Sequence, residues 1–137
     1  MIFKALASAG IAAASLAAPA LAHHSFAIFD QTKVNTITGT VKEFELVNPH
    51  VWLHITLADQ KGQAATWSFE GGSVAQLQAL GWKRENFPAG EKVEVAYRPM
   101  KDGSRGGQLM SAKPANGQKV CSNRGCGDGS GGVLAPF

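Results

Sequence analysis

Apolar and polar residues alternate through most of this chain, and the alternation predicts five strands. The clearest runs from Val51 to Leu57. Val51, Leu53, Ile55 and Leu57 face one way, while His50, Trp52, His54 and Thr56 face the other. Ala64 to Glu70 repeats the pattern, with Ala65, Trp67 and Phe69 against Thr66, Ser68 and Glu70. Glu91 to Arg98 alternates through Val93, Val95 and Tyr97, and Gln108 to Ala112 forms a fifth strand. Asn116-Gly117 then turns into a short extension at Gln118 to Val120. The first strand, Val34 to Val47, is longer and less regular. Ile37, Gly39 and Val41 share a face, and the apolar phase then slips by one residue to Phe44 and Leu46. Such a slip predicts a β-bulge, and Gly39 nearby predicts a strongly bent strand. Asn48-Pro49 ends it.

One segment changes period. Val74, Leu77 and Leu80 make an apolar stripe at helical spacing, so Ser73 to Leu80 is a short helix. Ser73 caps it with Gln76 three residues on, and Gly81 stops it. Asp59 to Gly62 and Asp102-Gly103 are turns, and Trp82 to Ala89 reads as a connecting loop. A long bent first strand and a helix between strands three and four predict a mainly β fold. Its form is a small OB-like Greek-key barrel of about five strands with one short helix. On this reading residues 23–33 are an N-terminal arm carrying Phe26, Ile28 and Phe29. Residues 34–120 are the barrel, and residues 121–137 are a glycine-rich tail without regular structure.

The first 22 residues have another pattern. Lys4 precedes an Ala-rich apolar stretch that ends in Ala20-Leu21-Ala22, the form of a secretory signal peptide; Ala18-Pro19-Ala20 offers an earlier cut. A periplasmic or secreted protein follows, with no membrane anchor once the leader is removed. The whole chain has 137 residues, 45% of them hydrophobic, which suits one domain. Its net charge of +3 is a small imbalance among few charges, and Lys4 would leave with the leader. No Lys/Arg run is present, so a nucleic-acid partner is not expected. Cys121 and Cys126 lie close together, and in an oxidising compartment they predict a small-loop disulfide. Free thiols, intermolecular pairing and metal binding are the alternatives.

No nucleophile elbow, phosphate-binding glycine loop or His-Glu-x-x-His is present, so nothing argues for a hydrolase or transferase. The histidines are more informative. All four fall in two clusters, His23-His24 and His50/His54. Cleavage after Ala22 would make His23 the first residue, whose α-amine and imidazole Nδ1 can chelate one ion. A second imidazole would complete a three-nitrogen site of the histidine-brace type, which favours Cu(II). His50 and His54 lie four apart on one strand face, roughly 13 Å between Cα atoms at about 3.3 Å per residue. One ion with bonds of about 2 Å cannot use both. His50 is the better candidate, because it sits at a strand start behind Asn48-Pro49; His24 and His54 are supporting candidates. Each His also has an ordinary structural reading, as a polar start, a strand cap or a solvent-face residue. Met100 and Met110 read as packing residues. Trp52 and Glu70 mark a ligand face on the second and third strands. An arm folded over that face would both cover Trp52 and carry His23 and His24 towards His50.

His23-His24-Ser25-Phe26, Asn48-Pro49-His50-Val51-Trp52, Trp67-Ser68-Phe69-Glu70 and Leu80-Gly81-Trp82 together form a pattern. It resembles a family of small exported bacterial proteins classed as a domain of unknown function. The resemblance runs from the cleavage site to about Val120, omits the Cys-containing tail, implies an exported single domain and brings no activity. The leading expectation is therefore a periplasmic protein that binds copper for handling rather than turnover. The second is a metal-free module that uses the Trp52 face for a small molecule, a glycan or another periplasmic protein. A copper oxidoreductase is the third.

Overall fold

The apolar slip in the first strand is a bulge. Strand β1 (Asn35–Glu45) pairs antiparallel with β2 (Trp52–Ala58), and the register shifts between Val41 and Glu43. The extra residue lets Val41 and Phe44 both face inward, 3% and 7% exposed. The computed structural model describes residues 26–123 and Cys126. After β2 come β3 (Ala64–Glu70), helix α1 (Val74–Ala79), β4 (Lys92–Pro99), β5 (Gly106–Pro114) and the short β6 (Val120–Cys121). The strand order is β3-β2-β1-β4-β5-β6, and a parallel pairing of β3 with β5 closes the first five into a barrel. The N-terminal half of β1 pairs with β4 and its C-terminal half with β2. This is the OB-like Greek-key barrel that the pattern predicts, with its helix between strands three and four.

The barrel interior is filled by Val41, Leu53, Ile55, Phe69, Val93, Val95 and Leu109 from the strands. Leu77 of α1 closes one end and is fully buried. Ser73 caps that helix by accepting a hydrogen bond from the Gln76 amide at 3.3 Å. The segment after it does more than connect. Trp82 is fully buried, stacks on Phe87 at 5.1 Å and lies 5.7 Å from Phe44. Its Nε1 donates to the Cys121 carbonyl at 2.9 Å, so the aromatic plug ties the barrel to the last strand.

Strand β5 starts earlier than the alternation suggests, at Gly106-Gly107. Here β5 passes between β3 and β4 with no room for side chains. A Cβ on Gly106 would lie 2.0 Å from the Ser68 carbonyl oxygen, and φ at Gly106 is +149°. A Cβ on Gly107 would lie 2.0 Å from the Arg98 carbonyl oxygen. The start of the tail segment, expected to lack regular structure, is docked. Cys121 belongs to β6 and pairs with Ser111, and the Cys121–Cys126 disulfide is formed. Cys126 is fully buried, and the Ser122 amide donates to the Met110 carbonyl at 2.9 Å. The expectation for the rest of residues 121–137 lies outside the described residues, apart from Asn123.

Candidate functional site

The N-terminal arm lies along the barrel. A 3-10 turn at Phe26–Ile28 leads into Phe29, which bridges Met100 in antiparallel fashion and is 4% exposed. The Asp30 amide donates to the Pro99 carbonyl at 2.8 Å, and the Lys101 amide donates to the Ile28 carbonyl at 3.0 Å. Gln31 clamps the turn. Its Nε2 donates to the Phe26 carbonyl at 3.1 Å and to Gln108 Oε1 at 3.2 Å, while its Oε1 accepts from Arg98 Nη1. Asp30 locks the next step by accepting from the Thr32 hydroxyl at 2.6 Å, the Thr32 amide at 3.0 Å and Lys33 Nζ at 3.1 Å. These hydrogen bonds, led by that from the Thr32 side chain, lower the Asp30 carboxyl to about 2.

The arm thereby brings Phe26 and Phe29 to a cavity of about 400 Å³ lined also by His50, Glu70, Gln76 and Ser122. His50 precedes β2, and reciprocal backbone bonds hold its neighbour against the end of β3. The Val51 amide donates to the Gly72 carbonyl at 2.9 Å, and the Gly71 amide to the Val51 carbonyl at 2.8 Å. His50 Nδ1 is consequently 3.2 Å from the Gly71 carbonyl oxygen and 3.3 Å from Glu70 Oε1. Glu70 is 7% exposed, though it belongs to the polar side of β3. It is covered because β5 pairs beside it, with Gln108 as its register partner, and because the arm passes over.

His54 lies within β2 and has different surroundings from His50. Its Nδ1 is 2.7 Å from the Ser68 hydroxyl and its Nε2 is 3.4 Å from Glu45 Oε1. Its ring stacks on Trp52 with the planes 5° apart and the centroids 6.0 Å apart. Trp52 is half-buried and lines a smaller hollow of about 270 Å³ with Ile28, Phe29, Met100 and Arg105. Met110 is a core residue, 1% exposed.

The structure thus brings His50, Glu70 and the arm to one cavity; Trp52 pairs with Glu70 across β2 and β3 and shares the smaller hollow with it and the arm, while His54 lines neither. His23 and His24 lie outside the described residues. Among the described residues no three His, Cys, Asp or Glu side chains converge as a metal site. The disulfide removes Cys121 and Cys126 as thiolate ligands. Sequence reasoning missed Gln31 and Arg98 as the arm clamp, and Ser122 as part of the cavity wall. Their contacts depend on strand register, such as Arg98 opposite Gln108, and leave no periodic signal.

A model of a family of unknown function, DUF6152, matches residues 11–110. The chain belongs to this family. No curated protein matches this DUF6152 chain. Among solved structures, it is similar to a mitochondrial single-stranded DNA binding protein from S. cerevisiae. The identity is 17%, the TM-score is 0.44, and the match covers 62% of this chain and 96% of that one. The expectation that nucleic acid is excluded as a partner is corrected by this finding. A near-balanced total charge says nothing of a local binding face, so the exclusion does not stand. At that TM-score the likeness carries no argument about what DUF6152 itself binds. The site must be read from its own side chains.

Proposed function

We propose that this protein is an exported, periplasmic copper-handling protein. It holds Cu(II) between His23, as the first residue after leader removal, and His50. The observation that carries the reading is the placement of His50. Its Nδ1 faces the Gly71 carbonyl oxygen at the wall of a cavity that the arm also lines. A carbonyl only accepts, so it favours a proton on Nδ1, the tautomer that puts the lone pair a metal needs on Nε2. His54 suits the role less, because it does not line this cavity and its ring is held against Ser68, Glu45 and Trp52. Phe26 lines the cavity, and three residues of extended chain span at most about 11 Å. The site requires that this span bring the amine and imidazole of a terminal His23 to His50. Nitrogen donors favour Cu(II) among the divalent first-row ions, and an α-amine with a pKa near 7.7–8.0 gives up its proton readily on binding.

The test is a chain exported and processed to start at His23, compared with one carrying a single extra residue ahead of it. The first should retain one Cu(II) against a competing chelator and the second should lose it, because the extension destroys the amine chelate. Equal retention by both would contradict the proposal. The hollow beside Trp52, with Arg105 at its edge, favours a second reading, a metal-free ligand module. There Trp52→Ala weakens small-ligand binding and the extension changes nothing.

A further inference from the structure

We infer that Glu70 is a positioning residue of this site, acting through His50 to hold its ring as the Nδ1–H tautomer with the lone pair on Nε2. The inference rests on the copper reading for its purpose, and on geometry alone for the tautomer. Glu70 is the one charged residue among the buried described residues; the other buried polar ones are Ser111 and Ser122. A carboxylate in that position is costly unless it is paired. The partner the structure gives it is His50 Nδ1, at 3.3 Å, which as N–H donates to the carboxylate.

Two acceptors converge on the same ring nitrogen. The Gly71 carbonyl oxygen and Glu70 Oε1 lie 3.2 and 3.3 Å from Nδ1. Neither a carbonyl nor a carboxylate donates, so both favour a proton on Nδ1. Neutral imidazole in water prefers the opposite tautomer, so the pair of acceptors reverses an intrinsic preference. The result is a carboxylate–histidine arrangement of the kind that orients metal-bound imidazoles and raises their basicity. The Glu70 charge also sits beside the cavity in which a cation would be held, and it attracts one there.

The experiment reads ring nitrogen-15 shifts of His50 in the metal-free full chain after export, for wild type, Glu70→Gln and Glu70→Leu. A chelator competition with Cu(II) accompanies each. In wild type His50 should be the Nδ1–H tautomer. Glu70→Gln, whose amide oxygen still accepts, should keep that tautomer but lose about tenfold or more in copper affinity. Glu70→Leu should move His50 towards Nε2–H and bind copper no better than Glu70→Gln. His54, which faces Ser68 and Glu45, should keep its shifts in all three. A wild-type His50 that is mainly Nε2–H, or a tautomer unmoved in Glu70→Leu, overturns the inference. Copper affinity unchanged in Glu70→Gln overturns it as well. If Glu70→Leu does not fold, the near-isosteric Glu70→Gln still decides through its affinity. A wild type that retains no copper sinks the proposed function, while the tautomer result still decides what Glu70 does to His50.

Discussion

His50 lies just ahead of β2 and His54 within it, and their neighbours give them different chemistry. His50 Nδ1 meets a backbone carbonyl and a buried acid, whereas His54 meets the Ser68 hydroxyl and Glu45 and is stacked on Trp52. His50→Ala should therefore cost at least about a hundredfold in copper affinity, more than a change outside the ligand shell. His54→Ala should change it by less than about threefold. Chelator competition measures both, and a reversed order would reject the ligand assignment. Trp82 is a second residue whose role is set by surroundings. Trp82→Ala should cost about 3–5 kcal/mol in denaturant unfolding, through a cavity at the barrel end and an unpaired Cys121 carbonyl. The position of His50 just ahead of β2 was legible in the sequence, because Asn48-Pro49 marks a strand start. The burial of Glu70 was not. Alternation assigns it to the solvent side, and only the pairing of β3 with β5 and the crossing arm cover it.

The elements show the same division. The bulge in β1 was readable because an inserted residue shifts apolar phase, and Val41 and Phe44 preserve that shift. The start of β5 was not, since glycines carry no side chain to alternate. Gly106→Ala should destabilise the protein by about 1–3 kcal/mol or more, because its Cβ would strike the Ser68 carbonyl in the closing pair. Urea unfolding measures it, and an unchanged midpoint would contradict the account of closure. The arm offers a pH test. Asp30 has a carboxyl lowered from 3.8 to about 2 by its Thr32 and Lys33 partners. A lowered folded-state value means that the ionised form contributes stability fully above about 4, and that this contribution fades as pH falls towards about 2. Protection of the Thr32 amide, with the intrinsic pH dependence of exchange divided out, should fall over that window in wild type. In Asp30→Asn it should be low already at neutral pH, with no such step. A wild-type arm indifferent to acid would show that Asp30 does not anchor it.

Across the whole molecule, the candidate site lies where the closing seam of the barrel meets the additions to it. β3 supplies Glu70, the approach to β2 supplies His50, α1 supplies Gln76, the disulfide loop supplies Ser122 and the arm supplies its two phenylalanines. The barrel and its helix could be read from periodicity, because each strand repeats its inward face. The junction could not, because five separate segments meet there through register and tertiary packing. Copper handling by an exported chain links the arm, His50 and the leader-like start into one account. A native mass spectrum of the protein recovered from a periplasm, with one equivalent of Cu(II) and a competing chelator, tests it most directly. The account predicts a chain beginning at His23, with the Cys121–Cys126 bridge intact, that retains one copper ion. A chain that begins elsewhere, or that surrenders its copper to the chelator, would contradict it.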